Sequence, residues 1–240
     1  MSVQQDELIW RKSATGSSDG GAVSGTLLTS GLKNDLWPNI SDANRLLGGT
    51  RYKKVFVCND APTDALVLPA IWNFQQPTNI AQQMGLGWND ANDGDGTQGN
   101  MTALTADALV ALVSSAADAR TATLMGLDAG GVPQTEDVVL NGTTEVLSVG
   151  TYSVLYGVHL DTTAATTVTV KEGTGGTARG TIGSGKVACW LWLDALTKPA
   201  GILLPSLAAG TEYGVWLKQT WVAAAGGVRP DADIIAVEEN

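Results

Sequence analysis

The chain has 240 residues, 44% of them apolar, enough to enclose a proper core in one large or two modest domains and too apolar to stay disordered. Its formal charge is −10, with 24 Asp and Glu against 14 scattered Lys and Arg, which leaves no basic groove for phosphates and argues against nucleic acid as a partner. No apolar run approaches the roughly 20 residues that cross a bilayer, and residues 1–7 are polar and acidic rather than leader-like, so a chain made in a cytoplasm and held by no membrane is expected.

Residue usage leans toward strands and tight turns. Gly is abundant, Thr- and Val-rich stretches are long, and the Glu, Lys, Arg and Gln that fill exposed helix faces are few. An all-β or mostly β protein is predicted.

Up to Gly49 short apolar pieces alternate with turns: residues 8–10, the Gly/Ser turn at 16–21, then 23–28. Ser41 is placed to cap one helical turn that Gly48-Gly49 would end, because Ser accepts from free amides and Gly tolerates positive φ. Residues 52–59 read as a core strand with 66–74 as its antiparallel neighbour. Cys58 lies in the first of these and Cys189 in another strand-like run, 186–193; both are expected to be buried free thiols rather than a disulfide.

The Gly/Asx cluster at 89–100 suits neither helix nor strand and marks a domain edge or long exposed loop. After it, residues 105–119 read as a helix capped by Thr105, with a strand as the alternative that the Thr, Ser and Val content leaves open. From 120 to 193 strands and turns follow at short intervals, with Asn141-Gly142 as the strongest hairpin signal, a spacing that suits an antiparallel sandwich. Toward the end, residues 207–217 are similar to the tyrosine corner of immunoglobulin-like sandwiches, with Tyr213 entering a strand and bonding back to the upstream loop.

No reactive centre stands out. Gly180-Thr181-Ile182-Gly183-Ser184-Gly185-Lys186 has phosphate-loop spacing, but Val187 replaces the metal-binding hydroxyl and a strand rather than a helix follows, so a plain hairpin is expected. The acids from Asp90 to Asp95 invite a calcium reading, yet no frame supplies the required oxygens, Gly and closing Glu. His159 is the only histidine, which excludes sites that need two or more imidazoles, multi-histidine zinc centres among them, and no pair among the carboxylates is singled out. Catalytic, cofactor-binding and metal-binding residues are therefore predicted to be none. The eight Trp suit a sandwich interior, with a few of them open to a role as exposed anchors for a neighbouring subunit; Trp88 beside the acidic loop is the candidate interaction anchor.

Three segments together resemble a family of virion structural proteins of tailed bacteriophages. They are Asn34-Asp35-Leu36-Trp37-Pro38-Asn39-Ile40-Ser41-Asp42-Ala43, residues 49–59, and Tyr213-Gly214-Val215-Trp216-Leu217-Lys218-Gln219-Thr220 followed by a Gly/Ala-rich turn and a final strand. The departure is at Lys218-Gln219, where the family carries two basic residues. In that family the matching pieces, about 23–75 and 200–238 here, form one domain, so the stretch between them reads as an insertion; its part at 126–144 is similar to a β-hairpin module of phage particle proteins.

The resemblance implies an immunoglobulin-like β-sandwich made of residues 1–100 and 195–240, with a second β-sandwich, 101–194, inserted in it. It implies a non-enzymatic virion component, made in the host cytoplasm, that binds capsid or tail subunits and self-associates in a symmetric assembly. Capsid decoration is favoured over a tail, neck or baseplate role, and the alternative is a carbohydrate- or receptor-binding module displayed on the particle.

Overall fold

The computed structural model describes residues 3–13, 19–30, 32, 35–75, 80–87, 93–94, 98–223 and 234–239. At 55% strand the protein is all-β; the α-helix among the described residues is the short α1, Asp42–Leu47. In chain order the first strands are β1 (Leu8–Ser13), β2 (Val23–Leu27), β3 (Gly49–Asn59), β4 (Ala70–Gln75), β5 (Ile80–Leu86), β6 (Gln98–Met101), β7 (Ala108–Ser114) and β8 (Thr121–Asp128). They are followed by β9 (Pro133–Val139), β10 (Val146–Leu160), β11 (Val168–Glu172), β12 (Ala178–Ile182), β13 (Ala188–Leu191), β14 (Ile202–Leu203), β15 (Glu212–Trp221) and β16 (Ile234–Glu238). The chain divides into two compact units, residues 1–91 with 193–240, and residues 92–192.

The discontinuous unit holds two open sheets, one ordered β2-β1-β3-β15-β5 and one ordered β14-β4-β16. β3 is central: β1 flanks it on one side, and β15 pairs with it from Glu212↔Cys58 to Trp221↔Gly49 on the other. Val55, Phe56, Val57 and Cys58 are all buried, so this strand is covered on both faces, which a continuous apolar run permits and a strictly alternating one does not. The predicted partner at 66–74 lies elsewhere. Pro69 and the positive φ of Leu68 delay the strand to Ala70, and β4 joins the smaller sheet. Asn73 Nδ2 donates to the Gln82 carbonyl at 3.0 Å, and both side chains are buried, so a polar bridge ties β4 to β5. The outer edge of β5 is closed by Leu193, whose amide and carbonyl each bond Met84 at 2.8 Å.

In the continuous unit six strands, β13-β6-β12-β11-β7-β10, close into a barrel through the pairing of β10 with β13, and the β8–β9 hairpin extends from β10. A sandwich was expected here. The difference lies in β10, whose first part pairs with β7 and whose last part pairs with β8 and β13. Register shifts between Leu147 and Thr151 and between Leu155 and Gly157 break its ladder, and such bulges bend a strand enough for the sheet to meet itself. Gly157 also admits the Trp190 indole, which would lie 2.1 Å from a Cβ at that position. The fully buried Trp190, Tyr152, Leu112 and Leu155 fill the core, each worth about 1.5–3 kcal/mol for an aliphatic side chain and more for the larger rings.

The helix predicted over 105–119 is strand β7. Val110, Ala111 and Leu112 are all buried, and the strand pairs on one side with β10 and on the other with β11. β6, which spans the predicted boundary at 100, belongs whole to the barrel because it pairs in parallel with β13.

Candidate functional site

The three segments that carry the resemblance meet in space. β3 and β15 supply neighbouring rungs of one sheet, and the guanidinium of Arg51 lies 4.8 Å from the ring centre of Trp37 and 5.8 Å from that of Trp221. Arg51 Nε donates to Gln219 Oε1 at 2.8 Å, and Nη1 donates to the Pro38 carbonyl. A planar cation between two indoles, with its fork fixed by acceptors, is a rigid arrangement that a Lys would not reproduce.

Local chemistry explains why each partner stays in place. Trp221 crosses Gly49, where a Cβ would come within 2.7 Å of the indole, and its Nε1 donates to the Asn44 carbonyl of α1 at 3.2 Å. Ser41 Oγ caps α1 by accepting from Asn44 N, and Gly48 ends it at φ +70. Upstream, Lys12 Nζ donates to Asp35 Oδ1 at 2.7 Å and to the Asp35 carbonyl at 2.8 Å. The bond from Lys12 and that from the Thr29 amide hold the Asp35 carboxyl below its usual range despite its desolvation.

On this fixed corner stand Leu47, 81% exposed, Val222, 80% exposed, and Leu46, 57% exposed. Large apolar side chains left in water on a rigid element mark a contact surface more often than single scattered ones do. Deeper in the sheet Lys54 is fully buried; its Nζ donates to the Gly21 carbonyl and lies 5.0 Å from the Phe56 ring centre and 6.0 Å from that of Trp216.

The sequence-selected residues fall in different places. Tyr213 is the second residue of β15, opposite Val57, and burial raises the pKa of its phenol. The turn before it is held by Asn59, whose Nδ2 donates to the carbonyls of Asp64 and Leu207 and whose main chain bonds Gly210 and Thr211. Trp88 lies outside the described residues, as does the acidic loop apart from Asp93 and Gly94. Residues 183–187 form a turn between β12 and β13 with no helix after them, so the amides needed for a phosphate are not presented.

Cys58 and Cys189 are buried and unbridged, and burial pushes both thiols up to about 12, so neither is a thiolate at neutral pH. His159 is buried on β10, stacked on Trp190 with ring centres 6.4 Å apart. Among the described residues no group of three or more His, Cys, Asp and Glu is placed to hold a metal ion. An open depression of about 420 Å³ lies between 117–119 and 141–143, where the carboxylate of Asp118 is engaged by Arg120 Nη1 at 2.7 Å. Sequence reasoning missed Arg51, which reaches Gln219 and Trp221, and Asn59, which reaches Leu207, because these partners are remote in the chain; the Tyr-basic-basic pattern at 52–54 was the nearest signal.

Compared with models of protein families, with curated proteins and with solved structures, the chain matches none.

Proposed function

We propose that the chain is a non-enzymatic structural component of a tailed-phage particle, made in the host cytoplasm and attached to capsid or tail subunits, with capsid decoration favoured. The observation that carries this reading is the corner at Arg51. Trp37, Arg51 and Trp221 fix a surface from which Leu46, Leu47 and Val222 project into solvent, and three segments distant in sequence build it. Apolar anchors on rigid elements attach a subunit without any chemistry, and symmetric repetition multiplies a weak contact. The immunoglobulin-like description of the discontinuous unit belongs to the same proposal; two open antiparallel sheets joined by Asn73 and Gln82 support it.

The test mixes the purified chain with particles of the encoding phage and measures bound copies after sedimentation. Saturation at a copy number set by particle symmetry is expected, with loss of binding in Leu47→Glu at unchanged thermal midpoint. Absence of binding to capsids and tails alike would refute the proposal.

A further inference from the structure

The barrel unit carries one strand whose outer side has no partner among the described residues: β9, last in the order of its sheet. Its register against β8 is unbroken from Thr121↔Val139 to Leu127↔Pro133. Two bonds just beyond its ends set the phase, since Asp128 N donates to the Val132 carbonyl and Leu140 N to the Arg120 carbonyl, both at 2.9 Å. In an antiparallel ladder alternate residues bond the same neighbour. Residues 134, 136 and 138 therefore bond β8, and Pro133, Thr135, Asp137 and Val139 turn their main-chain groups outward. Thr135, Asp137 and Val139 are exposed, so a row of amides and carbonyls faces water along this edge.

The strand is anchored through its side chains. Glu136 accepts from the amides of Val149 at 2.6 Å and Gly150 at 2.9 Å, and Gln134 Nε2 donates to the Thr151 carbonyl at 2.7 Å. These side chains hold β9 by one face and leave its edge clear. Natural sheets shield long edges with bulges, charged side chains, Pro or covering loops, because an open edge pairs with another strand. β9 has no register shift, its one Pro stands at the first position of the strand, and its Asp137 is engaged by Thr123 Oγ1 at 2.7 Å.

We propose that β9 pairs antiparallel with β9 of a second copy of this chain, about a two-fold axis at Glu136, joining two barrel units through one continuous sheet. The occupant follows from register. With the axis there, Thr135 N–H meets the Asp137 carbonyl of the second copy and the reverse, and Val139 N–H meets the Pro133 carbonyl, so every outward amide finds an acceptor and Pro133, which has none, needs none. The side chains match as well: Thr135 faces Asp137, and the exposed Val139 faces Pro133. An axis at Asp137 would set two aspartates opposite each other. The Glu136 side chains that meet under the proposed axis are each bound by two amides of their own copy. An isologous contact of this kind closes as a dimer.

This inference rests on the reading of the chain as a self-associating particle component but fails separately from it, because it concerns the isolated chain. Sedimentation of the full chain over a concentration series is expected to show a rise to twice the monomer mass, lost in Asp137→Pro. That substitution removes an outward N–H while sparing the β8 ladder. Amide exchange on the unmodified chain supplies a readout that needs no variant: Thr135, Asp137 and Val139 are expected to slow as concentration rises. A monomer at every concentration, a dimer that persists in well-folded Asp137→Pro, or exchange at those amides independent of concentration would overturn it. Dimers that still bind no phage particle would leave this pairing standing and sink the particle assignment.

Discussion

Arg51 lies over Trp37 with its guanidinium carbon 4.8 Å from the ring centre, joining the loop before α1 to the middle of the larger sheet. The same guanidinium reaches Gln219 on β15, so one side chain ties together three stretches of sequence. Arg51→Lys keeps the charge but loses the flat fork and stacking, and should cost about 1–2 kcal/mol on the usual worth of a cation–π contact and a hydrogen bond. Urea unfolding followed by tryptophan fluorescence measures this; an unchanged midpoint would mean that the stack does not hold the corner.

Gly157 and Trp190 face each other across paired strands, and a Cβ on residue 157 would sit 2.1 Å from the indole. Gly157→Ala is expected to destabilise the barrel unit by about 3 kcal/mol, at the upper end of ordinary overpacking, because Trp190 is fully enclosed and has nowhere to retreat. Calorimetry would detect it as a lowered transition. A shift of a degree or less would count against the barrel closure described for β10 and β13.

Glu172 gives the barrel unit an acid-sensitive contact. Burial pushes its carboxyl up, but Arg179, the Thr105 hydroxyl and the amides of Thr105 and Ala106 outweigh that and bring it to about 2 from an ordinary 4.5. A carboxylate lowered by folding contributes stability that is fully present above 4.5 and is lost as pH falls through about 2. Thermal midpoints of the unmodified chain and Glu172→Gln should differ at neutral pH and converge by pH 2; a constant gap would contradict the assignment.

Tyr152 is fully buried, and among the described residues its hydroxyl has no hydrogen-bond partner. Burial pushes the phenol pKa up, as expected for a group cut off from water. Tyr152→Phe is expected to leave stability unchanged or raise it by about 1 kcal/mol, since the lost oxygen satisfied nothing. Destabilisation by as much in chemical unfolding would reveal a bonded hydroxyl.

Features governed by neighbouring residues were legible in the sequence. Ser41 caps α1 and Gly48 ends it as anticipated, and Gly142 takes φ +55 in the turn at Asn141-Gly142. The all-β class followed from residue usage. Residues 105–119 misled because a strand buried on both faces has no period-two alternation, and its Ala and Leu content imitates a helix. Barrel closure left no mark either, since the register shifts of β10 depend on which strands it meets rather than on its own residues. The Arg51 corner brings together residues 14 and 170 positions apart in the chain (37 to 51, and 51 to 221), a pairing that local pattern does not encode.

The most direct test of the proposed role is a cryo-electron-microscopy map of the phage particle. The two-unit chain is expected at symmetry-related positions, with Leu46, Leu47 and Val222 buried against a capsid or tail subunit. A fully interpreted particle in which the chain has no place, or in which that corner faces solvent at every copy, would contradict it.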